Sequence, residues 1–434
     1  MQRALFKDLV KWKGNPERKP LVLEGARQVG KTWLLKEFGR HEYSNVVYIN
    51  CDGNPQMQLL FSDYDTSRLL RGFSAISGEI IQPHSTLIIL DEVQEVPEAL
   101  TSLKYFAENA PDYHIAVAGS LLGLKMHADT GYPVGKTDSF KLYPLSFSEF
   151  LAACGKDVLL EMIREHDFAN MNAFIPQLTD LLRQYYYTGG MPAVVDYYLR
   201  TQDLGGVRRL QKDIITDYER DFSKHTPPSV IPRIFAVWNS IPSQLAKENK
   251  KFIYGSIRKG ARAKDYESAI IWLKKAGLIY TINCLKKLER PLKFYENSNS
   301  FKIFMVDLGL LGAMVDSRAD EVLIGSKVFS DYKGSFTEQY VAQQFISTFG
   351  DSKLYYYTND NSTLEIDFVS ESDKVYPIEV KAETDLRSKR LSSVLNRNPD
   401  LKGIRFSMSP YIEQDRLTNV PLPLVEEYLR MVFD

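Results

Sequence analysis

Short apolar runs alternate with helically spaced apolar positions through the N-terminal third of the chain. Residues 21–23 (LVL) are a continuous apolar run, the pattern of a buried strand, and Leu34, Leu35 and Phe38 then recur on one side of a helix. Residues 46–50, 87–90 and 114–118 supply three more strand-like runs. The wholly apolar 87–90 run fits a central parallel strand covered on both faces. Ahead of them, Leu5, Leu9 and Val10 lie at helical spacing between charges, which predicts a short amphipathic helix packed on the same domain. The alternation predicts an α/β fold.

The pattern then changes. Residues 151–182 read as helical, with Leu159, Leu160, Ile163 and Phe168 apolar, until Gly189-Gly190-Met191-Pro192 breaks the helices in a turn read as structural. Residues 207–222 form the next helical stretch, and Pro227-Pro228 ends it. Residues 243–250 predict a short helix. Asp265 N-caps another that runs to Ala276, striped by Ile270, Leu273 and Ala276 and closed by Gly277. With residues 278–284 and 291–295 as strands of a wing, this stretch predicts a winged helix. Towards the C-terminus a charged helix begins near Ser335 and carries Glu338 in its first turn. Residues 355–357, 364–369 and 375–382 read as strands, the last two joined by a turn at 370–374.

Composition narrows the class. The chain has 434 residues, enough for two to four domains, and no apolar run approaches the length that spans a bilayer. Lys+Arg (54) and Asp+Glu (55) cancel to a net charge of -1, so any contact with nucleic acid must come from a local patch. One such patch is Lys247, Lys250, Lys251, Arg258, Lys259, Arg262 and Lys264, which suits either DNA or a protein surface. Three distant cysteines, Cys51, Cys154 and Cys284, offer neither a disulfide framework nor zinc spacing, and fit a reducing cytoplasm.

Chemistry is most legible directly after the first strand. Gly25, Ala26, Arg27, Gln28, Val29, Gly30, Lys31 and Thr32 match G-x-x-x-x-G-K-S/T, with Trp33 next in the helix that follows. Gly25 and Gly30 permit a tight loop whose backbone N–H groups face phosphate oxygens, and the helix start adds its positive end. Lys31 reaches the β- and γ-phosphates, and the Thr32 hydroxyl ligates Mg²⁺. Asp91 and Glu92 end the 87–90 strand, on the side where open α/β sheets bind ligands. Asp91 would hold the Mg²⁺ and Glu92 polarise the attacking water. Gly119-Ser120 follows the next strand, where Ser120 would sense the γ-phosphate or the lytic water; Gly-Ser there is also an ordinary turn. These residues predict an ATP site that uses Mg²⁺.

The series GARQVGKT, ILDEVQ, AGS and KLYPLSFSEF (residues 141–150) resembles the AAA+ type of predicted ATPase found in bacteria and archaea, along nearly the whole chain. The resemblance implies an αβα ATPase core followed by a C-terminal domain of unknown function. That family often carries Gly-Arg ahead of the 141–150 segment, whose arginine could serve as a finger. This chain has Gly135-Lys136, and lysine cannot form a bidentate fork on phosphate. Hydrolysis is then expected to be slow unless another arginine serves, Arg27 being one candidate.

Near the C-terminus, Asp367 precedes a turn and then Ile378-Glu379-Val380-Lys381. Period-two alternation sets Glu379 and Lys381 on one face, as it would in any half-buried hairpin. The order resembles the PD-(D/E)xK nuclease fold. By that resemblance Asp367, Glu379 and Glu338 are metal ligands and Lys381 is the catalytic lysine. The resulting expectation is a P-loop AAA+ ATPase domain over 1–150, a helical lid over 151–235, a winged-helix-like domain over 236–300 and a PD-(D/E)xK nuclease-like domain over 301–434. ATP, Mg²⁺, nucleic acid or a protein partner are the expected ligands, with no membrane. The alternative is a non-catalytic, ATP-dependent switch whose last domain binds a partner without cleaving it.

Overall fold

The wholly apolar segments become strands buried on both faces, as burial of a two-sided hydrophobic surface requires. The structure, a computed structural model, describes residues 1–120, 135–247, 250–324, 327–359, 364–384 and 387–434. It divides into two compact bodies. The first comprises Gln2–Tyr143 with Lys275–Leu278, and the second comprises Pro144–Lys274 and Ile279–Asp434 together with Met1.

Among the described residues the first body holds one five-stranded sheet: β1 (Leu21–Glu24), β2 (Asn45–Asn50), β3 (Thr86–Asp91), β4 (His114–Ala118) and β5 (Asp138–Lys141). The order is β2-β3-β4-β1-β5 and every pairing is parallel. Ile88, Leu90, Ile115 and Val117 pack against Leu69 and Phe73 of helix Thr66–Ser77 and Leu103 and Phe106 of helix Pro97–Asn109. Helix Lys31–Glu42 buries Leu34, Leu35 and Phe38. Each such side chain contributes about 1.5–3 kcal/mol relative to exposure. The N-terminal helix Phe6–Gly14 buries Leu9 and Trp12, with Phe6 set edge-on to Phe38.

The second body carries an eight-stranded mixed sheet among its described residues, ordered β12-β13-β11-β10-β9-β8-β6-β7. Its strands are β6 (Ile279–Leu285), β7 (Glu296–Met305), β8 (Tyr355–Thr358), β9 (Glu365–Glu371), β10 (Val375–Val380), β11 (Gly403–Ser407), β12 (Ile412–Glu413) and β13 (Leu417–Pro421). Helix Lys389–Arg397 lays Leu391, Val394 and Leu395 against Ile366, Val369 and Val375. Helix Lys327–Phe349 fixes itself to β7 by a paired contact, in which Gln339 accepts from Met305 N and donates to Met305 O.

Four local expectations are corrected. Helix Ile231–Leu245 runs through Pro242 and stops at Leu245, so among the described residues of 243–250 no separate helix begins, and residues 248 and 249 lie outside the described residues. Proline ordinarily breaks a helix, which is why the sequence suggested a new start after it. Residues Leu292–Tyr295 are a 3-10 turn, drawn in where Leu292 N donates to Glu371 Oε1 at 3.0 Å, and the strand is Glu296–Met305. That strand and β6 are an antiparallel pair at the edge of the eight-stranded sheet rather than a detached wing. Helix Lys327–Phe349 begins well before Ser335, so Glu338 lies in mid-helix. Gly334, Ser335 and Thr337 are weak helix formers, and tertiary packing overrides them.

Candidate nucleotide site and C-terminal charge cluster

The phosphate-type loop joins β1 to helix Lys31–Glu42, with β1 between β4 and β5. Gly25 has φ +146, and a Cβ there would lie 2.3 Å from Leu142 O. Gly30 has φ +94 and Gln28 φ +66, so the loop turns through left-handed backbone at three positions. Lys31 is buried, and its Nζ rests on the loop's own carbonyls, Gly25 O at 2.9 Å and Ala26 O at 2.8 Å. Burial pulls its ammonium down to about 8, against the opposing pull of Glu92 and Asp91. Val29 is buried and its carbonyl accepts from Arg3 Nη1 at 2.8 Å. Arg27 and Trp33 are exposed.

Asp91 closes β3 beside this loop. Its Oδ2 accepts from Thr32 Oγ1 at 2.6 Å and from Tyr48 Oη at 3.1 Å. The hydroxyl and carboxylate that a magnesium ion would engage are therefore adjacent, and the pair fits that group. Glu92 takes a left-handed backbone, φ +50, and accepts from Gln94 Nε2 at 2.5 Å. Ser120 is buried at the end of β4. Lys136 pairs with Glu108 at 3.0 Å on the domain's own surface. Sequence reasoning missed Arg3, Tyr48 and Gln94. Arg3 and Tyr48 lie outside the quoted motifs with no local signal to mark them, whereas Gln94 ends the ILDEVQ segment and was given no role.

The second body gathers a different set. Asp367 of β9 accepts from Val380 N of β10 at 2.7 Å, which puts it next to Glu379 and Lys381. Lys381 and Glu379 pair at 3.0 Å, and Glu379 Oε2 is buried with no hydrogen-bond partner among the described residues. Glu338 receives Lys250 Nζ on Oε1 at 2.6 Å, and Lys302 Nζ stands 3.8 Å from its Oε2 and 2.6 Å from Glu365 Oε1. Burial alone would lower the Lys302 ammonium; Glu338, Glu365 and Asp367 overcome that and hold it above its ordinary range. Burial, with the charge of Glu338 adding, pushes the Asp367 carboxyl up to about 7, against Lys302 and Lys250. Among the described residues no three histidine, cysteine or carboxylate side chains are placed to hold a metal ion. Glu338, Asp367 and Glu379, the carboxylates the sequence suggested, are accompanied here by Lys250, Lys302 and Lys381. Lys250, read from sequence as part of a surface patch, is buried in this cluster, whereas Arg258, Lys259, Arg262 and Lys264 are exposed.

The first body has the parallel sheet and phosphate-type loop of a P-loop domain. Residues 17–151 match the family described as AAA domain. Residues 179–321 match a domain of unknown function (DUF8612), and residues 333–425 match another (DUF4143). The sequence has no match among curated proteins. Solved structures similar to the chain include a Walker-type ATPase of Pyrococcus abyssi, at 18% identity and TM-score 0.45, covering 71% of this chain and 94% of that one. The ORC2 protein of Aeropyrum pernix in its ADP form is 12% identical at TM-score 0.31, covering 74% and 92%. The ORC1 protein of Aeropyrum pernix in complex with DNA is 13% identical at TM-score 0.28, covering 72% and 92%. All three TM-scores lie below 0.5, too low to carry over any property of those proteins. No helix among the described residues is long and apolar enough to cross a membrane.

Proposed function

We propose that the chain is a slow, Mg²⁺-dependent ATPase of the cytoplasm whose nucleotide state governs a nuclease-like module at its C-terminus. The observation that carries the first half is the 2.6 Å contact between Thr32 and Asp91, beside a lysine held inside the loop. Phosphates entering the loop would meet its N–H groups and draw Lys31 off the Gly25 and Ala26 carbonyls. Thr32 and Asp91 would hold the magnesium, which supplies charge neutralisation on the phosphates. Glu92 would orient the water, and Ser120 stands at the neighbouring strand end to read the γ-phosphate. Lys136, already paired with Glu108, offers no finger, and an arginine in that role contributes about 10³–10⁵ in rate.

For the second half, Asp367 and Glu379 lie on adjacent strands with Lys381 directly after the second, in the order of a PD-(D/E)xK fold, which supports reading residues 301–434 as nuclease-like. The exposed Arg258, Lys259, Arg262 and Lys264 favour nucleic acid as the partner. One observation favours a second reading, a switch that binds without cleaving: the ion pairs that Lys250 and Lys302 make inside the acidic cluster.

Phosphate release and nucleotide binding, with and without DNA or RNA, test the proposal. Lys31→Ala is expected to lose nucleotide binding. Glu92→Gln is expected to keep binding and lose about 10²-fold or more in turnover, the usual share of a positioned base. Equal turnover in native protein and Glu92→Gln would overturn the assignment.

A further inference from the structure

Lys302 occupies the middle of β7 with its side chain fully buried, an expensive place for an ammonium unless carboxylates meet it. Lys250 reaches the same cluster from another segment, and that segment is strapped down. Lys251 bridges to Lys302, Phe252 N donates to Phe301 O at 2.9 Å, and Gln244 clamps Ile253 through both its N–H and its C=O. The backbone at Lys250 is left-handed, φ +21, a conformation held only where surrounding contacts impose it. Lys250 is thus delivered to Glu338 by construction.

The geometry is complementary to two ammonium groups. They bracket Glu338, with Lys250 on Oε1 at 2.6 Å and Lys302 facing Oε2 at 3.8 Å, and Lys302 also holds Glu365 at 2.6 Å. Magnesium demands a near-octahedral set of oxygens at about 2.0–2.1 Å, and calcium six to eight at about 2.3–2.6 Å. Here Lys250 takes Glu338 Oε1, Glu338 Oε2 makes no hydrogen bond among the described residues but lies 3.8 Å from the Lys302 ammonium, and Asp367 has given one oxygen to a backbone N–H. An entering divalent ion would meet two fixed positive charges at close range. The two lysines together carry the charge of one such ion.

We infer that the ammonium groups of Lys250 and Lys302 stand in place of a divalent cation in the Glu338/Glu365/Asp367 cluster, so that the C-terminal module works without metal and does not cleave. The inference rests on the nuclease-like reading of this module. The Glu338 and Glu365 side of this cluster does not fit a divalent metal, and the misfit lies in two side chains outside the D…ExK motif.

Mn²⁺ binding followed by electron paramagnetic resonance tests it. The full chain carries Asp91→Asn and no nucleotide, which removes the P-loop contribution. With native lysines the cluster is expected to take up no Mn²⁺ up to about 1 mM, the range of weak carboxylate sites. Adding Lys250→Met and Lys302→Met is expected to create one site per chain, about tenfold tighter or more, and Glu338→Gln is expected to abolish it. Mn²⁺ uptake with native lysines that Glu338→Gln removes would overturn the inference, and so would a folded double variant that gains no site. Should the double variant fail to fold, the native-lysine arm decides alone. Cleavage of DNA or RNA in Mg²⁺ that Asp367→Asn abolishes would also overturn it while leaving the nuclease-like reading intact.

Discussion

At the scale of single residues, Asp307 is the most consequential polar group outside the two sites. It is fully buried, accepts from Gly190 N at 2.6 Å and Leu310 N at 3.0 Å, and burial pushes its carboxyl up to about 6. In the unfolded chain the group loses its proton near 3.8. Between those two pH values the folded protein holds more protons, so stability falls as pH rises through the window. The full cost is on the order of 3 kcal/mol. Denaturant unfolding of the native protein and Asp307→Asn at pH 4 and pH 7 checks this. The native protein is expected to lose about that much relative to the variant; a pH-independent difference would refute the shift. The same scale separates what sequence exposes from what it hides. Gly25, Lys31 and Thr32 are legible because a phosphate loop is local, its groups fixed by neighbours in the chain. Lys302 reads as one more polar position on an alternating strand, since its carboxylate partners lie on other elements.

At the scale of elements, close backbone approaches decide which turns tolerate a side chain. A Cβ on Gly190 would lie 2.1 Å from Leu145 O, and Leu145 N donates to Gly190 O at 2.6 Å. The Gly-Gly turn is thus a contact surface for the segment that begins at Pro144, and its partner is backbone that cannot swing aside. Gly190→Ala is expected to cost about 2–4 kcal/mol, the range of overpacked or strained positions, read from the denaturation midpoint. A loss below about 0.5 kcal/mol, ordinary for surface changes, would show that the segment can shift. Strands β1 to β4, β6 and β8 to β10 were readable from periodicity, whereas helices Thr66–Ser77 and Pro97–Asn109 and every element after β10 were not read. Two of the exceptions share a cause: Pro242 inside a helix, and Gly334 to Thr337 within another, are local breakers that packing overrides.

At the scale of the whole molecule, two bodies carry their own cores, and the P-loop residues with Asp91 and Glu92 lie in the first. A non-hydrolysable ATP analogue at a hundred times its dissociation constant should stabilise that body by about 2.7 kcal/mol. Calorimetry is expected to show one transition rising with nucleotide, an effect lost in Lys31→Ala. A thermogram unmoved by any nucleotide would contradict the site.

Sequence by itself determined four of the five parallel strands of the first body, the loop that opens helix Lys31–Glu42 and the acids that end β3. Each depends on residues close together in the chain or on a strand's own hydrophobic run. Tertiary structure alone decided that Tyr48 joins Asp91, that the 296–305 strand edges a larger sheet, and that Lys250 and Lys302 enter the acidic cluster. Charge pairing in a buried site is set by which distant elements meet, and a linear pattern of polar positions carries no record of that meeting.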